Sequence, residues 1–300
     1  MPSRRTIGPE AAILPSLRCA TGESPVWNGC EGAFYWTDIP AATLHRYAPA
    51  SGQAQSWRLP EQAGCIALGG GAGHLVAACE RHIFDVVLNG EDAVTRALAP
   101  FAMPLPGMRF NDGRCDRQGR LWASTFLTGK ERQPVGEWLR LDAGGLRRSG
   151  WDGFLVPNGL AFSPDGRTMY VSDSAASARA VWAFDYDTDS GTPHNRRLFI
   201  DMRDHGGRPD GATVDTDGCY WISAMESGNL LRFTPDGVLD HVLDLPCRTP
   251  TMPAFGGADM RSLFVTSLRG DIASDPWSGA SFLIDTPFQG LSEHALQFVG

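Results

Sequence analysis

One short pattern returns along this chain in a fixed register. Pro157-Asn158-Gly159-Leu160-Ala161-Phe162-Ser163-Pro164-Asp165-Gly166 aligns with Pro209-Asp210-Gly211-Ala212-Thr213-Val214-Asp215-Thr216-Asp217-Gly218. Phe110-Asn111-Asp112-Gly113-Arg114-Cys115-Asp116-Arg117-Gln118-Gly119 aligns with both. Each copy runs from an amide or carboxylate, through a short strand-forming run, to an Asp-Gly or Gln-Gly turn and a second strand. Asn111, Asn158 and Asp210 share one position of the pattern. Such self-similarity restricts the fold more than composition does, because each unit buries its apolar face only against its neighbours.

Glycine and proline punctuate the rest of the sequence. Between them lie short β-branched and aromatic runs such as Ala33-Phe34-Tyr35-Trp36-Thr37, Thr168-Met169-Tyr170-Val171-Ser172, Tyr220-Trp221-Ile222-Ser223 and Ser262-Leu263-Phe264-Val265-Thr266. Helical periodicity is absent, so the class is all-β. Matching the second strands places Glu23 and Met252 at the position of Asn158, and a glycine near Gly64 in the unit around His74-Leu75-Val76-Ala77. Six units result, with key positions 23, 64, 111, 158, 210 and 252 and adjacent spacings of 47, 52 and 42 over the last four. That length holds four strands of about six residues with their turns. Six four-stranded antiparallel units closing around a central channel make a six-bladed β-propeller. Leu44–Tyr47 with Ala54–Trp57, and Trp138–Leu141, Val181–Phe184 and Leu230–Phe233, read as outer strands. A strand near Ala12–Leu17 is expected to complete the last blade and close the ring. No linker interrupts the series, so residues 1–300 read as one domain with a flexible tail at its start. The irregular stretches 126–136 and 201–208 are expected to border the mouth.

Net charge is −8, which argues against a nucleic-acid partner. Lys130 is the single lysine and sits in a turn-like stretch, so Schiff-base chemistry is set aside. Seven cysteines without a CxxC pair suggest reduced thiols in a cytoplasmic protein. Pro15 cuts short the apolar run Ala11–Leu14, a poor signal peptide, and no run is long enough to span a membrane. GxSxG and HExxH motifs are missing, and Gly69-Gly70-Gly71-Ala72-Gly73 reads as a turn that does not fit a dinucleotide loop.

In a propeller the innermost strands line the channel, so Glu23, Asn111, Asn158 and Asp210 converge at one mouth, with neutral Gly64 and Met252 beside them. Two carboxylates and two amides offer oxygen donors that suit one divalent cation, Ca, Zn, Mg or Mn. Facing carboxylates without a cation would repel. Asn158-Gly159 and Asp210-Gly211 also fit turns, but Asp165-Gly166 and Asp217-Gly218 already supply them. Arg109 offers a planar fork of donors, and Asn111 both donates and accepts, as a sugar hydroxyl requires. The competing role for Arg109 is an ion pair with Asp112 or Asp116. His205 reads as solvated. Asp38 and Asp173 read as acceptors for backbone amides. Trp36, Trp122, Trp182 and Trp221 read as core. Phe126 and Trp151 are candidates to flank the site, and Cys65 and Cys115 to fill blade interiors.

These motifs carry a resemblance. Gly22-Glu23-Ser24-Pro25-Val26-Trp27 with Trp36-Thr37-Asp38-Ile39, Arg109-Phe110-Asn111-Asp112-Gly113, the Asn158 and Asp210 repeats, and Phe255-Gly256-Gly257-Ala258-Asp259 resemble, in order over residues 19–270, the senescence-marker/regucalcin/gluconolactonase family. The resemblance implies a metal-dependent sugar lactonase that acts on a small-molecule aldonolactone, as a monomer or small homo-oligomer. It implies Glu23, Asn158 and Asp210 as metal ligands, Arg109 and Asn111 as substrate contacts, and Asp210 as acceptor of the water proton. The family's loop glutamate falls at Gly129 by ungapped counting. Either Glu131 takes its role through a loop shift, or the substrate differs. Ala254 stands where some members carry cysteine, which leaves sugar preference open. Phosphotriester or other lactone hydrolysis at the same metal, or a non-catalytic calcium-binding propeller, are the alternatives.

Overall fold

The computed structural model describes residues 1–14 and 16–297. Pro15, the expected end of the amino-terminal apolar run, lies outside them. Six antiparallel sheets ring one channel. Their innermost strands are Gly22–Asn28, Cys65–Gly71, Met108–Cys115, Pro157–Phe162, Arg208–Val214 and Pro250–Gly256, which number the blades 1 to 6. Each blade continues outward in chain order through hairpins, because tight Gly-containing turns join neighbours in the sequence. Ala12–Ile13 pairs with Ser281–Asp285 and supplies the outer strand of blade 6, which closes the ring. This strand is shorter than the Ala12–Leu17 run suggested, because Leu14 takes a left-handed backbone (φ 46°) that turns the chain out of the sheet.

Blade faces pack through their aromatic and aliphatic side chains. Trp36, Trp122 and Trp221 are fully buried between blades, as are Cys65 and Cys115. Trp182 departs from the core reading. It is half-buried, with the Arg196 guanidinium 4.1 Å from its ring centre, a cation–π cover for a ring near the blade edge. Asp38 accepts from the backbone N–H groups of Ala20 and Thr21, and Asp173 from those of Leu155 and Val156. The glycine run in blade 2 is not all turn. The strand continues through Gly71, which pairs directly with His74, and only Ala72 and Gly73 turn. A Cβ on Gly69 would lie 2.5 Å from the His74 ring, so a larger residue there would displace that ring.

Two elements lie outside the repeat. Ser3–Thr6 adds a fifth strand to blade 5, parallel to Leu239–Asp244. The carboxyl-terminal segment crosses the end of the channel opposite the mouth. Its Gln289 carbonyl accepts from Thr216 (2.8 Å), Leu296 N–H donates to Leu68, and Gln297 N–H donates to Gly119, both at 2.8 Å. Buried Leu296 packs into the core between blades 2 and 3, and Glu293 bonds Arg114 inside the channel.

Candidate active site at the channel mouth

A local backbone irregularity aims the key side chains. In five innermost strands the ladder to the second strand skips two residues: between Glu23 and Val26, Phe110 and Gly113, Asn158 and Ala161, Pro209 and Ala212, and Pro250 and Pro253. Such a bulge breaks the pleat and re-aims a side chain, here toward the axis. Ser24 (φ 51°) and Gly159 (φ 64°) take the same left-handed conformation directly after Glu23 and Asn158. Serine is strained there. Its hydroxyl accepts from Ile66 N–H at 2.8 Å and ties blade 1 to blade 2. Blade 2 carries its irregularity elsewhere, between Leu68 and Gly71. Its Gly64 abuts blade 3 so closely that a Cβ would meet the Phe110 carbonyl oxygen at 2.4 Å. No ligand side chain fits at that sixth of the ring.

The buried polar groups form a chain across blades 3, 4 and 5. Arg109 Nη1 donates to the Phe110 carbonyl (2.6 Å) and to Asn111 Oδ1 (3.2 Å). Asn111 Nδ2 donates to Asn158 Oδ1 (3.0 Å) and to the Pro157 carbonyl (3.1 Å). Asn158 Nδ2 donates to Ser174 Oγ at 2.7 Å, and Ser174 donates onward to the Pro209 carbonyl beside Asp210. These bonds fix which way each amide points and leave one lone pair of Asn158 Oδ1 free for another partner.

The two carboxylates are the unsatisfied members. Glu23 accepts one bond, from Ser24 N–H at 3.0 Å. The Asp210 side chain accepts none among the described residues, although Asp210 is only 5% exposed. Burial pushes both acids well above the ordinary carboxylate range. The Asp210 charge raises Glu23 further, followed by Asp112, and Asp112 raises Asp210 while Arg208 opposes. Asp112 is a third carboxylate beneath the mouth. It accepts from Gly113 N–H (2.8 Å) and Leu160 N–H (2.9 Å). In the sequence alone Asp112 stands only as a possible partner for Arg109. Its adjacency to Asn111 was the available signal for a place in the site.

Among the described residues Arg109 forms no ion pair. Asp112 turns to backbone amides, and Asp116 binds Arg120 (2.5 Å) and the Tyr186 hydroxyl (2.6 Å). Burial pulls the Arg109 guanidinium down to about 10, against the attraction of Glu23. Its plane lies over Phe126, 4.7 Å from the ring centre, so Phe126 does flank the site. Trp151 instead packs on Phe184 at 4.6 Å, in the core of blade 4. Glu131 is exposed in the loop after Leu127 and makes no hydrogen bond among the described residues. His205 packs edge-on against Phe233 at 4.9 Å, and burial lowers its pKa.

A second cluster has metal-like composition. Donor atoms of Cys19, Asp38 and His45 lie within 4.8 Å of one another inside blade 1. Each has a structural use. Asp38 holds two amides, His45 Nδ1 pairs with Ser56 Oγ (2.7 Å), and burial pushes the Cys19 thiol up to about 12. The Asp38 arrangement recurs at Asp173 without cysteine or histidine, so it belongs to the blade architecture.

Fold and mouth together define a class, the six-bladed propellers with a small polar site on the axis. Residues 21–269 match the SMP-30/Gluconolactonase/LRE-like region, and the chain belongs to that family. It is 39% identical over 277 residues to a 6-deoxy-6-sulfogluconolactonase of Pseudomonas putida, covering 91% of this chain and 93% of that protein. It is 32% identical to an L-arabinolactonase of Azospirillum brasilense, covering 94% of each. The crystal structure of a calcium-binding regucalcin from Agrobacterium tumefaciens superposes with a TM-score of 0.91 at 26% identity, covering 99% of this chain and 100% of that one.

Proposed function

We propose that this protein hydrolyses an aldonolactone, with Glu23, Asn158 and Asp210 holding one divalent cation and Arg109 and Asn111 gripping the sugar. The enzyme is a sugar lactonase like its relatives. The finer assignment rests on one observation: two carboxylates on non-adjacent blades, Asp210 buried and Glu23 half-buried, face the same mouth and repel each other without a counter-charge. The residues fit a cation. Their donors are all oxygen, one Asn158 lone pair is free, and the carboxylates gain what they lack. That donor set suits the hard ions Ca, Mg and Mn better than Zn. When bound, the ion supplies Lewis-acid stabilisation of negative charge on the lactone carbonyl.

The chain's own residues do the rest. Arg109 directs its unused Nε and Nη2 donors, and Asn111 its amide, at ring and hydroxyl oxygens. Asp210 takes the proton from the attacking water. Burial raises its basicity and a bound cation lowers it, so the site keeps a carboxylate of intermediate strength. The acyl carbon gains the water oxygen, the ring ester bond breaks, the ring oxygen takes the proton from Asp210 and leaves as a hydroxyl, and the second water proton is released as the new carboxyl ionises. The product is the open-chain aldonate. The named substrates of the relatives share the lactone ring and differ in what hangs from it. Seven free thiols support a cytoplasmic location as part of this proposal.

The test is proton release from a panel of aldonolactones by metal-stripped protein, then with one equivalent of calcium, magnesium, manganese or zinc. Loss on stripping and recovery with one ion is expected. Full activity without metal would refute the cation, and no activity on any lactone would refute the substrate class.

A further inference from the structure

We propose that the channel mouth carries an anion subsite, formed by Arg132 and Arg208 beside Arg109, that takes a sulfonate or phosphate substituent of the lactone. The inference rests on the lactonase reading and deepens it by naming the substrate's charge.

Three arginines distant in sequence gather on the mouth face. Arg109 and Arg132 share one platform, with their guanidinium carbons 4.7 and 4.9 Å from the Phe126 ring centre. Arg208 opens the innermost strand of blade 5, two residues before Asp210. Each repels the next: Arg132 opposes the charge of Arg109, and Arg208 opposes that of Arg132. The arc thus starts beside Glu23, which attracts Arg109, and ends beside Asp210, which feels Arg208. It borders the two carboxylates among the three proposed cation ligands.

The arc is short of negative partners. Arg208 donates to Glu226 (2.8 Å) and to the Ser174 carbonyl (3.2 Å), but Glu226 also faces Arg179 at 3.7 Å. Arg132 donates from Nη1 to the Leu127 carbonyl at 2.7 Å. Glu23 and Glu80 attract Arg109 through space. Among the described residues no carboxylate bonds Arg109 or Arg132. In a chain of net charge −8, two unpaired guanidinium groups on one ring are a built imbalance. A neutral hydroxyl does not correct it, and a tetrahedral oxyanion does. Its oxygens match the arginine fork bidentately and supply the missing charge. With the lactone carbonyl held between Glu23 and Asp210, a substituent on the far carbon of a hexonolactone reaches out toward the arc at Arg132.

The experiment compares kcat/KM for gluconolactone, its C6-phosphate and its C6-sulfonate with the metal-loaded enzyme. The charged lactones are expected to exceed the neutral one by at least about tenfold at low salt, with the ratio falling at about 0.5 M NaCl. Arg132→Glu should reverse much of that ratio and Arg132→Lys should keep most of it. Preference for only one of the two anions supports the subsite and identifies its ligand. A ratio of one, or an Arg132→Glu enzyme that loses charged and neutral substrates alike, overturns it while leaving the lactonase reading intact. If no lactone is turned over, that reading fails. Calorimetric binding of 6-phosphogluconate against gluconate then decides the subsite alone: tighter binding of the phosphate keeps it, and equal binding ends it.

Discussion

Asp210 and Asp215 lie on one innermost strand and its turn, five residues apart, and both are almost fully buried. Their surroundings are opposite. Asp215 accepts from the N–H groups of Asp217 (3.1 Å) and Cys219 (3.0 Å), from Trp221 Nε1 (2.8 Å) and from Arg232 Nε (2.7 Å). Asp210 accepts no side-chain hydrogen bond among the described residues and faces Asp112 and Glu23. Blade 3 repeats the satisfied turn position, with Asp116 five residues after Asn111, but its mouth residue Asn111 is bonded to Arg109, Asn158 and Pro157. One repeated unit therefore carries two polar positions of different purpose. The turn end is satisfied and holds the blade together. In blade 5 the mouth carboxylate is left without a hydrogen-bond donor, an arrangement that selection tolerates where a ligand completes it.

Substitution at the two aspartates separates the purposes. Asp215→Ala leaves the Trp221 N–H and the Arg232 Nε–H buried without their acceptor, and frees the turn amides of Asp217 and Cys219, while the other guanidinium nitrogens of Arg232 keep Asp217 and Asp240. It should destabilise the fold by about 3–5 kcal/mol, read as the shift in urea midpoint, while protein that remains folded keeps its turnover. Asp210→Asn should do the reverse. It removes a charge that repels its neighbours, so the metal-free protein should be no less stable than wild type. Lactone turnover should fall by about 10²–10³. Wild-type turnover in Asp210→Asn, or a stability loss equal to that of Asp215→Ala, would erase the distinction.

The unequal legibility of these features has physical causes. Strand order, ring closure and the four polar mouth positions follow from the repeat, because equivalent residues on equivalent strands must face one axis. The bulges that aim Glu23 and Asn158 do not, since they are properties of pairing between strands, and serine at position 24 conceals the left-handed backbone that glycine at 159 hints at. The carboxyl-terminal strap and the Ser3–Thr6 strand lie outside any period. Glu131 sits in a loop with no register, so counting cannot place it. Arg132 and Arg208 are brought together only by closure of the ring, and no local pattern links them.

The smallest predicted effect is a pH dependence that belongs to the mouth alone. Glu23 and Asp210 have raised folded-state pKa values. In metal-free protein they bind protons more tightly folded than unfolded. Their contribution is therefore most favourable below the ordinary carboxylate pKa of about 4 and is lost as pH rises through the raised values. Asp210→Asn removes one of these groups and relieves the other. The Tm of Asp210→Asn minus that of wild type, both in chelator, should grow between about pH 5 and 8 by a few degrees, equivalent to about 1 kcal/mol. Saturating cation should abolish or reverse the trend, because it stabilises the ionised wild-type pair. A flat difference at Asp210 across that range would show that the facing carboxylates do not burden the fold, and the two positions would then differ in hydrogen bonding alone.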